Sequence, residues 1–383
     1  MSAATPQSQY VHKLTTPEAA AALIADGSVL CVALGVGAPA ALARAVADRV
    51  RSGTLKDLHL VYQQAMKPLA DTLIQPDVLD KIEARNFFIG EPDREMINRG
   101  IAEGRKYISY IPCNFSQIPR ALTEAIRVNT FVVTVSPMDA SGHFSLGTNN
   151  DYASTVIRHC DRVVVEVNRY MPRVFGDSAV HVSEVHTIIE NHVPLPEFPL
   201  REPDEEALSI GKTVAAMIPD GGTLQFGIGN LPTAVARFLG NHNDLGIHSE
   251  LFSPPFVELI QRGVINGRKK TLHPRKHVFT IALGDAPMYA FLNDNPAMES
   301  YAVSYVNDLR IIAAHDNVIS VNTAIEIDLY GQVNAEFING HQYSGAGGQF
   351  DFVKGASLSR GGKSFIALKS AAKKETISCI VPR

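Results

Sequence analysis

The chain has 383 residues, with 35 lysines and arginines against 39 aspartates and glutamates, a formal net charge of -4, and 45% apolar residues. Near-balanced charge leaves no electrostatic footprint for nucleic acid, and the longest apolar runs, 28–34 and 130–135, are far too short to span a bilayer. Cys31, Cys113, Cys160 and Cys379 are widely separated with no Cys-x-x-Cys, against a zinc site or disulfide framework; with a polar N-terminal stretch, this reads as a cytoplasmic protein.

In chain order, Thr15-Thr16-Pro17-Glu18 reads as a helix start: a threonine cap, proline in the first turn, then an acid near the positive helix end. Asp26-Gly27 stops that helix, and 29–34 is an apolar run of strand length. Residues 39–50 predict a second helix with Leu42, Val46 and Val50 on one face, and strands are predicted at 58–62, 131–135 and 162–167. Residues 194–203 hold four prolines, which no helix or central strand accommodates, so a linker is predicted there and domains at 1–202 and 203–383. Beyond it come a strand at 224–226, a glycine turn at 227–230, a helix at 232–239, and strands at 245–251, 278–282, 318–321 and 364–368. Short apolar strands alternating with helices predict an α/β fold of mostly parallel sheets flanked by helices.

The two halves repeat. Ile24, Asp26, Gly27 and Gly35 fall on Ile218, Asp220, Gly221 and Gly229 at an offset of 194, and Asp57-Leu58 fall on Asp244-Leu245 at 187. Asp139 and Gly142 match Asp328 and Gly331 at 189; Gly147, Asp151 and Tyr152 match Gly347, Asp351 and Phe352 at 200. A period this long implies a duplicated domain rather than a solenoid. The 187 offset puts Gln63 opposite Glu250, an amide where the second half holds a carboxylate. That asymmetry marks the place for chemistry.

Glu250 shares a strand face with His248 near the carboxyl end of a strand, where parallel α/β sheets bind ligands; on spacing alone a solvated glutamate fits as well. The turns Gly35-Val-Gly37 and Gly227-Ile-Gly229 each join strand to helix, suited to an anion or simply to a tight turn. Gly35-x-Gly37-x-x-Ala40 lacks the later acid of a dinucleotide fingerprint. Tyr343-Ser-Gly-Ala-Gly-Gly-Gln-Phe-Asp-Phe352 has the composition of a loop whose amides converge on an oxyanion or phosphate. The basic clusters at 268–270 and 369–374 read as solvated faces. Neither a metal spacing of His143, His181 and His192 nor a serine nucleophile elbow is present.

Gly227-Ile-Gly-Asn-Leu-Pro-Thr-Ala-Val235, Asp244-Leu-Gly-Ile-His-Ser-Glu250 and the glycine loop together resemble the acetyl-CoA hydrolase/transferase family, and within it the 4-hydroxybutyrate CoA-transferases. Met171-Pro-Arg-Val-Phe-Gly-Asp-Ser178 and His181-Val-Ser-Glu-Val185 look like that family's first domain. The resemblance implies two duplicated CoA-transferase-like domains with the nucleophile, Glu250, in the second. It further implies CoA contacts at Gly227, Ile228, Gly229, Asn230, Leu231, Ile325, Ser344, Gly348 and Lys373. Asn307 would polarise an acyl oxygen, the Gly348 amide would serve as oxyanion donor, and His248 reads as structural. Two departures stand out: Leu251-Phe-Ser-Pro-Pro255 replaces Met-Phe-Ser-Asp-Gly after the nucleophile, stiffening that turn, and relatives run on beyond the position of Arg383.

The implied chemistry is acyl-CoA:carboxylate CoA transfer through a covalent glutamyl-CoA thioester, from a glutamate that at an ordinary pKa of about 4.3 is already ionised near neutral pH. CoA or acyl-CoA then enters as substrate, with no permanently bound cofactor and no metal. A small carboxylic acid is the second substrate, a homodimer the commonest assembly. A dicarboxylate would need a further cation, for which Arg120, Arg173 and Arg360 are available. The rivals are an acyl-CoA hydrolase using the same glutamate and a non-catalytic CoA-binding protein.

Overall fold

A computed structural model describes residues 5–198, 200–373 and 376–382; Lys374 and Arg383 lie outside them. The chain divides into two units. The first comprises Met1–Cys113, Gln117–Glu197 and Leu292–Asn295; the second comprises Asn114–Ser116, Phe198–Phe291 and Pro296–Arg383. The division thus runs at Glu197/Phe198, with two short excursions that no linear boundary describes.

In the first unit, helix α1 (Pro17–Ala22) starts on Thr16, whose side chain accepts the Ala19 amide as the threonine-proline pattern requires. Strand β1 (Ser28–Val32), helix α2 (Ala40–Arg51) and strands β2 (Leu58–Tyr62), β3 (Glu83–Asn86), β4 (Ile108–Tyr110), β5 (Thr130–Val135), β6 (Arg162–Val167) and β7 (Thr187–Glu190) follow. They form one parallel sheet in the order β7-β6-β5-β1-β2-β3-β4. Helix α2 buries Leu42, Val46 and Val50 into a core shared with Leu30 and Leu60 of the sheet.

The second unit contains helix α3 (Glu205–Ala215), strand β8 (Thr223–Phe226), helix α4 (Asn230–Arg237), strand β9 (Gly246–Phe252), helix α5 (Pro254–Gln261), and strands β10 (His277–Ala282) and β11 (Met298–Ser300). Helix α6 (Val303–Val306), strand β12 (Val318–Thr323), helix α7 (Gln349–Leu358) and strand β13 (Lys363–Ala367) complete its framework. Six parallel strands run β13-β12-β8-β9-β10-β11. This is the first unit's order β6-β5-β1-β2-β3-β4, strand for strand.

The repeat reaches register and turn chemistry. Val29 lies opposite His59, and Thr223 opposite Gly246, the pairing that offsets of 194 and 187 require. Asp26 accepts the Lys56 amide and Asp220 the Asn243 amide, both at 2.8 Å. Each aspartate is followed by a glycine at positive φ, 80° at Gly27 and 75° at Gly221, where a side chain would be strained.

One element differs in what it presents to its neighbour. Glu166 on β6 is 1% exposed, and its carboxylate accepts the amides of Ala40, Ala41 and Leu42 at the start of α2, at 3.0–3.1 Å. Opposite its β5 partner Thr134 stands Glu166; opposite the matching Thr323 on β12 stands Ala367. Ala367 packs on Leu231 and Ala234 of α4 and offers that helix no acceptor side chain.

Candidate active site

Strand β9 is buried throughout except at Glu250, which is partly exposed. The alternation of the strand puts His248 and Glu250 on one face, and both reach the end of α6. The His248 Nε2–H donates to the Val306 carbonyl at 2.8 Å, and the Asn307 Nδ2 donates to Glu250 Oε2 at 2.7 Å. His248 is therefore a structural anchor beneath Asn307, kept neutral because burial drives its pKa well below the usual value.

The glycine loop closes on the same carboxylate. A Cβ built on Gly348 would lie 1.8 Å from Glu250 Oε2 and 2.3 Å from Asn307 Nδ2, so only glycine leaves room for the pair. Gly348 is also the N-cap of α7, so Glu250 sits at the positive end of that helix. Asp351, in the first turn of α7 and 3% exposed, accepts from Ser116 Oγ at 3.0 Å and from Asn307 Nδ2 at 3.4 Å. The Phe115 amide donates to the Gly347 carbonyl at 2.9 Å.

Electrostatics corrects one expectation. Burial pushes Glu250 up to about 7; the Asn307 hydrogen bond opposes this, and the nearby Asp351 charge adds to it. The glutamate is thus poised at neutrality rather than fully ionised. Asp351 is raised to about 6, again mainly by burial.

Pro254 and Pro255 occupy the opening turn of α5, where proline's fixed φ suits the helix and its missing N–H is not needed, so they fix the backbone just after strand β9 without straining it.

Glu250, Asn307 and Gly348 are thus brought together. The residues assigned to CoA fall in two groups. Ile228, Gly229, Asn230, Leu231, Ile325 and Lys373 line one pocket of about 1020 Å³ at the start of α4. Gly227 lies beside it with Phe226 and Phe256, whereas Ser344 spends its hydroxyl on the Ala335 carbonyl at 2.9 Å and Gly348 lies against Glu250. The helix at the pocket starts two residues earlier than predicted, at Asn230, because Gly229 takes φ 122° as its cap. Lys369, also lining the pocket, pairs with Asp204 at 2.6 Å and Glu206 at 2.8 Å.

The three arginines held available for a dicarboxylate are each paired: Arg120 with Glu124 at 2.8 Å, Arg173 with Asp139 at 2.8 Å, and Arg360 with Asp316. Ser116 and Asp351 were not among the expected site residues. Asp351 was visible as an acid in the glycine loop, whereas Ser116 has no local signal. Among the described residues, no cluster of three or more His, Cys, Asp or Glu could hold a metal, and no helix is long and apolar enough to cross a membrane.

Models of the acetyl-CoA hydrolase/transferase N-terminal and C-terminal domains match residues 2–197 and 284–383. The chain is 39% identical over 374 residues to the 4-hydroxybutyrate coenzyme A transferase of Clostridium kluyveri, covering 97% of this chain and 85% of that one. It is 34% identical to the butyryl-CoA:acetate CoA-transferase of Anaerostipes caccae, covering 94% and 81%. The crystal structure of RipA from Yersinia pestis superposes with a TM-score of 0.96 at 48% identity, over 99% of this chain and 86% of that one.

Proposed function

From the chain's membership of the acetyl-CoA hydrolase/transferase family, as a CoA-transferase, we propose that it moves CoA between a short-chain acyl-CoA and a carboxylic acid through a covalent glutamyl-CoA thioester on Glu250. The observation that carries this reading is the Asn307 amide donating to Glu250 at 2.7 Å over a glycine that a side chain would close.

A carboxylate oxygen of Glu250 attacks the thioester carbonyl carbon; the C–S bond breaks, CoA leaves as thiolate, and an acyl-glutamyl anhydride remains. The thiolate then attacks the glutamyl Cδ, the bond to the acyl carboxylate breaks, and glutamyl-CoA forms as the first acid departs. An incoming carboxylate reverses the two steps, so thioester energy is conserved. Both tetrahedral intermediates carry an oxyanion, for which Asn307 Nδ2 and the Gly348 amide are the donors; losing one such donor costs about 10²–10³ in rate. A glutamate poised near 7 keeps an ionised fraction at neutral pH and is a stronger nucleophile than an ordinary carboxylate. The 1020 Å³ pocket at the start of α4 takes CoA, its phosphates meeting amides at a helix N-terminus.

The partial exposure of Glu250 favours acyl-CoA hydrolysis as the second reading, since water reaching the anhydride diverts it. Incubation with acetyl-CoA or butyryl-CoA, borohydride trapping and peptide mass spectrometry tests the first. The expected result is reduction at Glu250, absent in Glu250→Gln. Thioester consumption without an acceptor acid that is lost in Glu250→Gln would establish hydrolysis through the anhydride. Consumption with Glu250 unmodified would mean another nucleophile or direct hydrolysis, and CoA binding without consumption would leave only a binding protein.

A further inference from the structure

We propose that Asp351 is a positioning residue for the transfer reaction, holding the Asn307 amide in its donating orientation while Glu250 is covalently occupied. The proposal rests on the Glu250 reading above. Asn307 is 1% exposed; its Nδ2 donates to Glu250 at 2.7 Å and reaches Asp351 Oδ2 at 3.4 Å, while its Oδ1 has no partner. One nitrogen with two hydrogens thus serves two carboxylates. A flipped amide would set Oδ1 against both negative groups, so in the resting site either carboxylate suffices to hold it.

During turnover that redundancy ends. As anhydride or thioester, Glu250 carries no negative charge and accepts more weakly. Asp351 keeps its charge through both stages and becomes the group that keeps Nδ2 directed at the reacting carbonyl. It is itself held from another direction, by the Ser116 hydroxyl at 3.0 Å and by the Ser116 backbone amide.

The competing explanation is structural: an acid in the first turn of a helix stabilises it. Asp151, the counterpart of Asp351, is also fully buried and accepts the Tyr152 amide in a unit where Gln63 replaces the nucleophile. A helix-start role and a positioning role predict different kinetics. The groups bearing on Glu250 are the Asn307 amide and the Asp351 charge from α7, while His248 on its own strand is neutral; Asp308, paired with Arg310 at 2.7 Å, acts on Asp351. Removing the Asp351 charge therefore lowers the Glu250 pKa.

The test is Asp351→Asn, alone and with Asn307→Ala. An asparagine there has one acceptor oxygen for three donors, the Ser116 hydroxyl, the Ser116 backbone amide and the Asn307 amide. The expected outcome is a kcat lowered on the order of tenfold to a hundredfold, less than loss of an oxyanion donor outright. KM for acyl-CoA stays near wild type, and the acid limb of kcat/KM moves to lower pH. In the Asn307→Ala background the substitution adds nothing to the fall in kcat at pH values where Glu250 is ionised, because that effect acts through the amide. The acid-limb shift, a direct effect of the Asp351 charge on Glu250, remains. Should Asp351→Asn fail to fold, Ser116→Ala carries the test: a smaller fall in kcat that likewise vanishes with Asn307→Ala.

A lowered melting temperature with kcat and acid limb unchanged overturns the proposal, as does an equal loss in the Asn307→Ala background. If the wild-type protein traps no adduct at Glu250, the reading and the proposal fall together; if it traps one and Asp351→Asn is silent, the proposal alone falls.

Discussion

At Gly348 the nearest atom to an added methyl group is Oε2 of Glu250, the proposed nucleophile, 1.8 Å away. Gly348→Ala therefore displaces Glu250, Asn307 or both, and a misplacement of about 1 Å costs roughly 10² in rate. Transfer activity is expected to fall by that factor while the melting temperature hardly moves, read by steady-state kinetics and thermal denaturation of one preparation. The identity of Gly348 was legible through the motif it belongs to, but its reason was not, because the atoms that crowd it come from β9 and α6. Glu250 stood out as a carboxylate where the repeat puts Gln63 in the first half. Its pKa did not, since burial and Asp351 act through space. Ser116 meets Asp351 across 235 residues of chain, a pairing that no local pattern carries.

Among the elements, the contrast between β6 and β13 makes the sharpest prediction. Glu166 occupies the start of α2 as a built-in anion, whereas Ala367 leaves the start of α4 without one. Ala367→Glu is expected to place a carboxylate where the proposed CoA phosphate binds and to raise the CoA dissociation constant on the order of tenfold. Calorimetric titration checks it; unchanged affinity would mean the phosphates lie elsewhere in the pocket. The apolar strands β1, β2, β5, β6, β8, β9, β10, β12 and β13 were all readable as runs of the right length. Strands β3, β4, β7 and β11 were not. Each is only three or four residues long, and β3 reads Glu-Ala-Arg-Asn, whose charged ends leave no apolar run to detect.

For the molecule as a whole, the second unit buries a group of bases. Burial lowers Lys270 to about 7, His277 to about 4 and His315 to about 3, the Lys270 charge adding to the effect on both histidines. A depressed pKa means that the unfolded chain binds protons the folded one refuses, so stability rises with pH across each window. For Lys270 the window runs from about 7 to its ordinary 10.5. Lys270→Met is therefore expected to raise the melting temperature most at pH 7 and below, by about 2–4 °C for each kcal/mol recovered, with the gain fading toward pH 10 and saturated transfer rates unchanged. A gain independent of pH would mean that packing, not charge, is what Lys270 costs. The duplication was legible because offsets of 194 and 187 survive in turn residues that backbone geometry demands. The two excursions across the division were not legible, being set by contacts remote in sequence.

Those excursions bear on how the protein is made. Leu292–Asn295 belong to the first unit, tied there by the Arg173 amide on Asn293 Oδ1 at 2.9 Å and the Asp294 amide on the Arg173 carbonyl at 2.9 Å. Asn114–Ser116 belong to the second. When a ribosome has finished Glu197, the first unit still lacks its last piece, and the nascent second unit already depends on one made long before. Vectorial folding, in which an N-terminal domain matures before its successor emerges, therefore leaves the first unit without the contacts of Leu292–Asn295 until synthesis has passed Asn295.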